Sequence, residues 1–170
     1  MSSSKYFFLI LSALLLGFTT ATAQSTEVDG LISELYSSIT FDENSDPDYD
    51  TFQSLFIEDG RLISVHDTTS YHLTPASYKQ SMNSRRQNGK ILAFEEKELH
   101  RETDRFGNIM HVFSTYQTHV VTPEGEDSQR GSNSLQLMKE NGRWKVVSII
   151  WYEEKPGTPL PDEYLKRQDD

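Results

Sequence analysis

Residues 130–154 read RGSNSLQLMKENGRWKVVSIIWYEE, two mixed apolar and polar runs hinged on Asn141-Gly142. Asn-Gly supplies two consecutive residues that tolerate positive φ, which a two-residue hairpin turn demands. The stretch therefore predicts antiparallel strands over 129–139 and 143–152, with Glu140 opposite Arg143. In that register one face collects Asn133, Leu135, Leu137, Trp144, Val146, Ser148 and Ile150. The opposite face collects Ser132, Ser134, Gln136, Met138, Val147, Ile149 and Trp151. A sheet covered on one side only shows a polar outer face, yet here both faces of the last strand are apolar. Val147, Ile149, Trp151 and Gln136 are accordingly assigned to a buried outer contact. Either the C-terminal tail covers them or the sheet of a second copy does, and the second, a homodimer, is the reading taken.

Working back along the chain, 109–121 is a β-branched and aromatic strand, and 94–103 is its partner across the turn Arg105-Phe106-Gly107-Asn108. Residues 122–128, polar with Pro123 and Gly125, read as a loop. Before the strands the period changes. Leu31, Ile32, Leu35 and Tyr36 recur at helical steps. Asp46-Pro47 reads as the cap and first position of a second helix, with Phe52, Leu55 and Phe56 as its apolar stripe and Asp59-Gly60 as its end. A short strand over 61–65 follows, then Thr74-Pro75 opens a third helix over 75–86. Helices first and strands after them predict an α+β domain over 24–153, with a tail over 154–170.

The first 23 residues have the layout of a secretory signal: Lys5, an apolar run over 6–18, and Ala21-Thr22-Ala23 before the cleavage expected at Gln24. The expected location is the periplasm or the extracellular space. The run is shorter than the roughly 20 residues a spanning helix needs, so no membrane attachment is expected after cleavage. The chain has no cysteine, which excludes thiol nucleophiles, thiolate metal sites and disulfide staples. With 16 basic and 26 acidic residues the net charge is −10. A domain that acidic repels phosphate backbones, so nucleic acid is not an expected partner. The run Glu95-Glu96-Lys97-Glu98 reads as a solvated face.

Residues 98–120, ELHRETDRFGNIMHVFSTYQTHV, with the hairpin already quoted and PGTPLPDEYL at 156–165, resemble the nuclear-transport-factor-2-like superfamily, in particular its SnoaL-like bacterial members. The segments Phe52-Gln53-Ser54-Leu55-Phe56 and Gly60-Arg61-Leu62-Ile63 resemble the front half of that family. The resemblance implies a cone-shaped, cystatin-like fold, in which N-terminal helices pack on a curved antiparallel sheet around a central pocket. It also implies frequent dimerisation through the sheet, and a range of activities from isomerases, dehydratases and hydrolases to binding-only proteins.

Among candidate groups, Tyr116 and Ser114 alternate along a strand facing the cone, and Asn133 and Ser148 are polar residues on the more apolar face of the hairpin. These four are the expected ligand contacts; core packing and backbone bonding are the alternatives for each. His111 and His119 share strand parity but stand roughly 26 Å apart, too far for one metal ion. Asp42, Asn44 and Asp46 mimic a calcium loop, but Pro47 and Gln53 occupy the places where glycine and glutamate belong. No metal or cofactor is expected. Three functions stay open: binding of a small, mostly apolar molecule; a cofactor-free isomerase, dehydratase or hydrolase using a pocket histidine or acid; and a module that docks partners through its outer sheet.

Overall fold

The structure is a computed structural model and describes residues 27–165. The expected signal segment and its cleavage point lie outside those residues. The first helix, α1, occupies 27–37. It buries Val28, Leu31, Ile32, Leu35 and Tyr36, the stripe that the helical spacing indicates.

Helix α2 is Tyr49–Ser54, capped by Asp48, whose Oδ1 accepts a hydrogen bond from Thr51 N at 2.9 Å. The expected cap, Asp46, instead pairs with Arg86. Two aspartates flank Pro47, and Asp48, directly before the first helical residue, takes the capping role. The helix is also shorter than expected. Leu55 and Phe56 leave it, and strand β1 (Phe56–Val65) begins at once. Strand β2 (Ser70–Leu73) pairs with β1, Leu62 opposite Leu73. Helix α3 (Pro75–Gln87) opens on the Thr74 cap with Pro75 in its first turn, and Ser77 closes a reciprocal capping box.

Four long strands follow: β3 (Ala93–Phe106), β4 (Ile109–Thr122), β5 (Gly125–Glu140) and β6 (Arg143–Glu153). The expected loop over 122–128 is two residues long, because Thr122 already pairs with Gly125. Backbone pairing carries those polar segments into the ladder. The sheet order is β2-β1-β6-β5-β4-β3, all antiparallel except β1 beside β6. Asn141 (φ 51°) and Gly142 (φ 80°) make the turn the sequence demands, and Glu140 faces Arg143.

Two bulges decide what each face carries. Between Gln136 and Leu137 the register of β5 against β6 slips by one, with Val147 as the extra residue. An extra residue bends a strand and reverses the side-chain parity beyond it. Ile149 therefore pairs with Leu135 and Trp151 with Asn133 on the inner face, while Ser148 pairs with Gln136 on the outer one. This corrects the straight-strand expectation. The second bulge, at Leu99 in β3, lets Glu98 face Tyr116 while Arg101 faces Ser114.

All three helices contribute to one core with the inner face of the sheet, centred on Ile32, Phe52, Val112, Leu135, Leu137 and Val146. The tail crosses the outer face. Arg130 holds Glu154 through two hydrogen bonds of 2.8 and 3.1 Å, and Tyr164 packs at a tilt against Phe113 with ring centroids 5.0 Å apart.

Candidate functional site

A cavity of about 360 Å³ opens between the helices and the inner face of the sheet. Leu35 of α1, Ile39 in the turn after it, Phe52 of α2 and Met82 of α3 form one wall, and Ile149 and Trp151 form the wall on β6. The bulge at Val147 thus makes a cavity lining out of two residues expected at a dimer contact. Gln136 is exposed on the outer face, and Val147 sits in the bulge itself. The sequence argument for a sheet-to-sheet dimer, which needs all four on one face, no longer holds.

Two carboxyls stand in this wall among the described residues, the exposed Glu153 and the more deeply set Glu96. Strand alternation puts Glu96 there: Glu95 and Lys97 point outward and pair with each other at 2.9 Å, so Glu96 and Glu98 point in. The solvated-face reading of this run therefore holds for only two of its four residues. Glu96 Oε1 accepts a hydrogen bond from Asn133 Nδ2 at 3.1 Å, and no other described residue donates to this carboxyl. Burial pushes its pKa up to about 7, against a smaller opposing effect of the Asn133 amide.

The same Asn133 nitrogen donates to Tyr36 Oη, also at 3.1 Å. Tyr36 Oη lies 2.7 Å from Ser114 Oγ, and Ser114 donates to Glu98 Oε1 at 2.6 Å. Glu98 is tied to Arg101 at 3.0 Å, and Arg101 to Asp29 of α1 at 3.2 Å. The donors are thus ordered along the chain. Ser114 spends its proton on Glu98, so Tyr36 donates to Ser114 and is left to accept from Asn133. That order fixes the Asn133 amide with its nitrogen toward Glu96.

Tyr116 lines the cavity, and its hydroxyl makes no hydrogen bond to another described residue. Its ring lies over Gly131: a Cβ there would stand 2.5 Å from Tyr116 Oη and 2.6 Å from Tyr152 O. Burial, then the charge of Glu96, push its pKa well above the phenol range. It is a neutral donor at any working pH.

Of the four expected ligand contacts, Tyr116 and Asn133 lie in the cavity wall. Ser114 lies one hydrogen bond behind it, and Ser148 is on the other side of the sheet. None of the histidines lines the cavity: His111 bonds Ser134, His119 pairs with Glu126, His66 bonds Ser64 and His72 bonds Ser70. Sequence reasoning missed Glu96 and Tyr36. The available signal for Glu96 was its parity with Phe94 in a strand already assigned.

No protein-family model matches the chain, and no curated protein matches its sequence. Solved structures match its shape. The hexachlorocyclohexane dehydrochlorinase LinA-type3 of Novosphingobium barchaimii matches with a TM-score of 0.63 at 11% identity, over 83% of this chain and 96% of that one. A protein with a cystatin-like fold from Caulobacter vibrioides gives 0.59 at 14% identity, over 78% and 91%. Another from Nostoc punctiforme gives 0.53 at 16%, over 81% and 95%. At such identities the likeness concerns the fold. The chain has the cystatin-like, nuclear-transport-factor-2-like fold that the resemblance of residues 98–153 implies.

Proposed function

We propose that the protein binds a small, mostly apolar molecule in this cavity and that Glu96 exchanges a proton with it. The observation that carries the reading is Glu96 itself, a carboxyl whose pKa burial raises to about 7, set in a largely apolar cavity wall. A general acid–base group works best when its pKa is near the working pH. In the reaction proposed, the Glu96 carboxylate takes a proton from a carbon beside a carbonyl. The electron pair moves onto the carbonyl oxygen, which accepts a hydrogen bond from Tyr116. Where the ligand has a double bond between its β- and γ-carbons, return of the proton from Glu96 to the γ-carbon completes an isomerisation; where its β-carbon bears a leaving group, departure of that group with the bonding pair instead completes an elimination. The like fold of a dehydrochlorinase is a reason to keep elimination beside isomerisation.

Binding without turnover is the second reading, favoured because no histidine lines the cavity among the described residues and the other acid of the wall, Glu153, is exposed. Export of the mature chain from residue 24 is part of the proposal and is checked by sequencing the N-terminus of secreted material. The functional test begins with native mass spectrometry of protein purified without denaturation, which identifies a retained ligand. Incubating that ligand in D2O then separates the readings. Deuterium uptake into its C–H bonds with the native protein, lost in Glu96→Gln, is expected. Binding with no uptake leaves the protein a carrier.

A further inference from the structure

Helix α3 turns three residues toward the cavity at helical steps: Tyr78, Met82 and Arg85. Arg85 is exposed, so it stands where the cavity meets solvent, and it is the one cation among the described lining residues. The other basic residues of the helix that have acidic neighbours use them. Lys79 pairs with Asp50, and Arg86 pairs with Asp46 while its guanidinium lies 5.2 Å over Phe41. Arg85 has no ion pair with any described residue, in a chain with ten more acidic than basic residues. Arg61 and Arg143 likewise have no ion pair with a described residue, but neither borders the cavity.

Resting on the reading of the cavity as a small-molecule site, we infer that its ligand is an amphipathic organic acid whose anionic group is held by Arg85. A guanidinium presents a planar fork of donors that matches a carboxylate or sulfonate. Its position at the rim leaves the anion hydrated while the apolar body enters toward Glu96. The two carboxyls of the wall fit this arrangement. Glu96 is uncharged for much of the time near neutral pH, and Glu153, on β6, forms no ion pair with Arg85.

The test uses 8-anilinonaphthalene-1-sulfonate and N-phenyl-1-naphthylamine, fluorescent probes that differ by the sulfonate alone. At low salt the native protein is expected to bind the sulfonate more tightly than the neutral amine. Arg85→Ala is expected to weaken the sulfonate about tenfold and leave the amine unchanged. Arg143→Ala, which removes the same charge from the hairpin turn, is expected to change neither. Added salt should narrow the native preference. Equal loss from both arginine variants, or no loss in Arg85→Ala, overturns the inference while leaving the cavity reading standing. Failure of the native protein to bind either probe overturns the cavity reading and this inference with it.

Discussion

Asn133 Nδ2 donates to Glu96 Oε1 at 3.1 Å, across the inner face from β5 to β3 with β4 between them. The amide is the only described donor to a carboxyl that burial holds partly protonated at neutral pH. Because the amide stabilises the charged form, its loss raises the Glu96 pKa further. Asn133→Ala is expected to move the Glu96 midpoint above 7. It should also cost about 1–3 kcal/mol of stability, since Tyr36 loses a buried partner. Titration by NMR and urea unfolding measure the two effects.

Glu96 also makes stability depend on pH, with a definite sign. Its pKa rises from 4.5 in the open chain to about 7 in the fold, so the fold holds more protons than the open chain between those values. Stability therefore declines as pH rises through that window and levels off above it. The decline attributable to this group is on the order of 2 kcal/mol, after allowance for its partial contact with solvent. Glu96→Gln should flatten this part of the profile and exceed the native protein in stability at pH 8. Thermal unfolding at a series of pH values shows it.

Ser114 joins Tyr36 to Glu98 and sets the order of donors that orients Asn133. Ser114→Ala leaves the buried Tyr36 hydroxyl without its acceptor and frees the Asn133 amide to turn. The expected cost is about 1–3 kcal/mol, with a rise in the Glu98 pKa because Ser114 no longer supports the charged form. A native pKa at Glu98 in this variant would contradict the order of donors.

Gly131 and Tyr116 give a contrast within one contact. Gly131→Ala places a Cβ 2.5 Å from Tyr116 Oη and 2.6 Å from a backbone oxygen, and should cost about 1–3 kcal/mol while displacing the phenol. Tyr116→Phe removes a hydroxyl that has no described protein partner, so unfolding should barely register it. Turnover or ligand binding should fall in both variants. A large stability loss in Tyr116→Phe would mean the hydroxyl serves the fold.

The fold was largely legible because its signals are local. Asn141-Gly142 fixes a turn, Thr74-Pro75 fixes a helix start, and the alternation of 109–121 fixes a strand with no slip. The site was less legible because it depends on two single-residue slips. Nothing in Val146-Val147-Ser148 announces which residue is extra, yet that residue moves Ile149 and Trp151 into the cavity and Ser148 out of it. The bulge at Leu99 likewise separates Glu98 from Glu102, which share parity in an unbroken strand. Glu96 was hidden by composition: a run of four charged residues reads as solvated until the strand's alternation is applied to it. Asn133 was visible as a polar residue among apolar ones, but its partners Tyr36 and Glu96 lie 97 and 37 residues earlier in the chain.

The central claim is that Glu96 exchanges its proton near neutral pH inside an apolar cavity. A 13C NMR titration of the protein labelled at glutamate side-chain carboxyls tests it most directly, with Glu96→Gln to assign the resonance. The expected result is one carboxyl titrating near pH 7 in the native protein and missing from the variant. If the Glu96 resonance titrates with the exposed carboxylates, below pH 5, the cavity holds an ordinary carboxylate and the proton-exchange account is wrong.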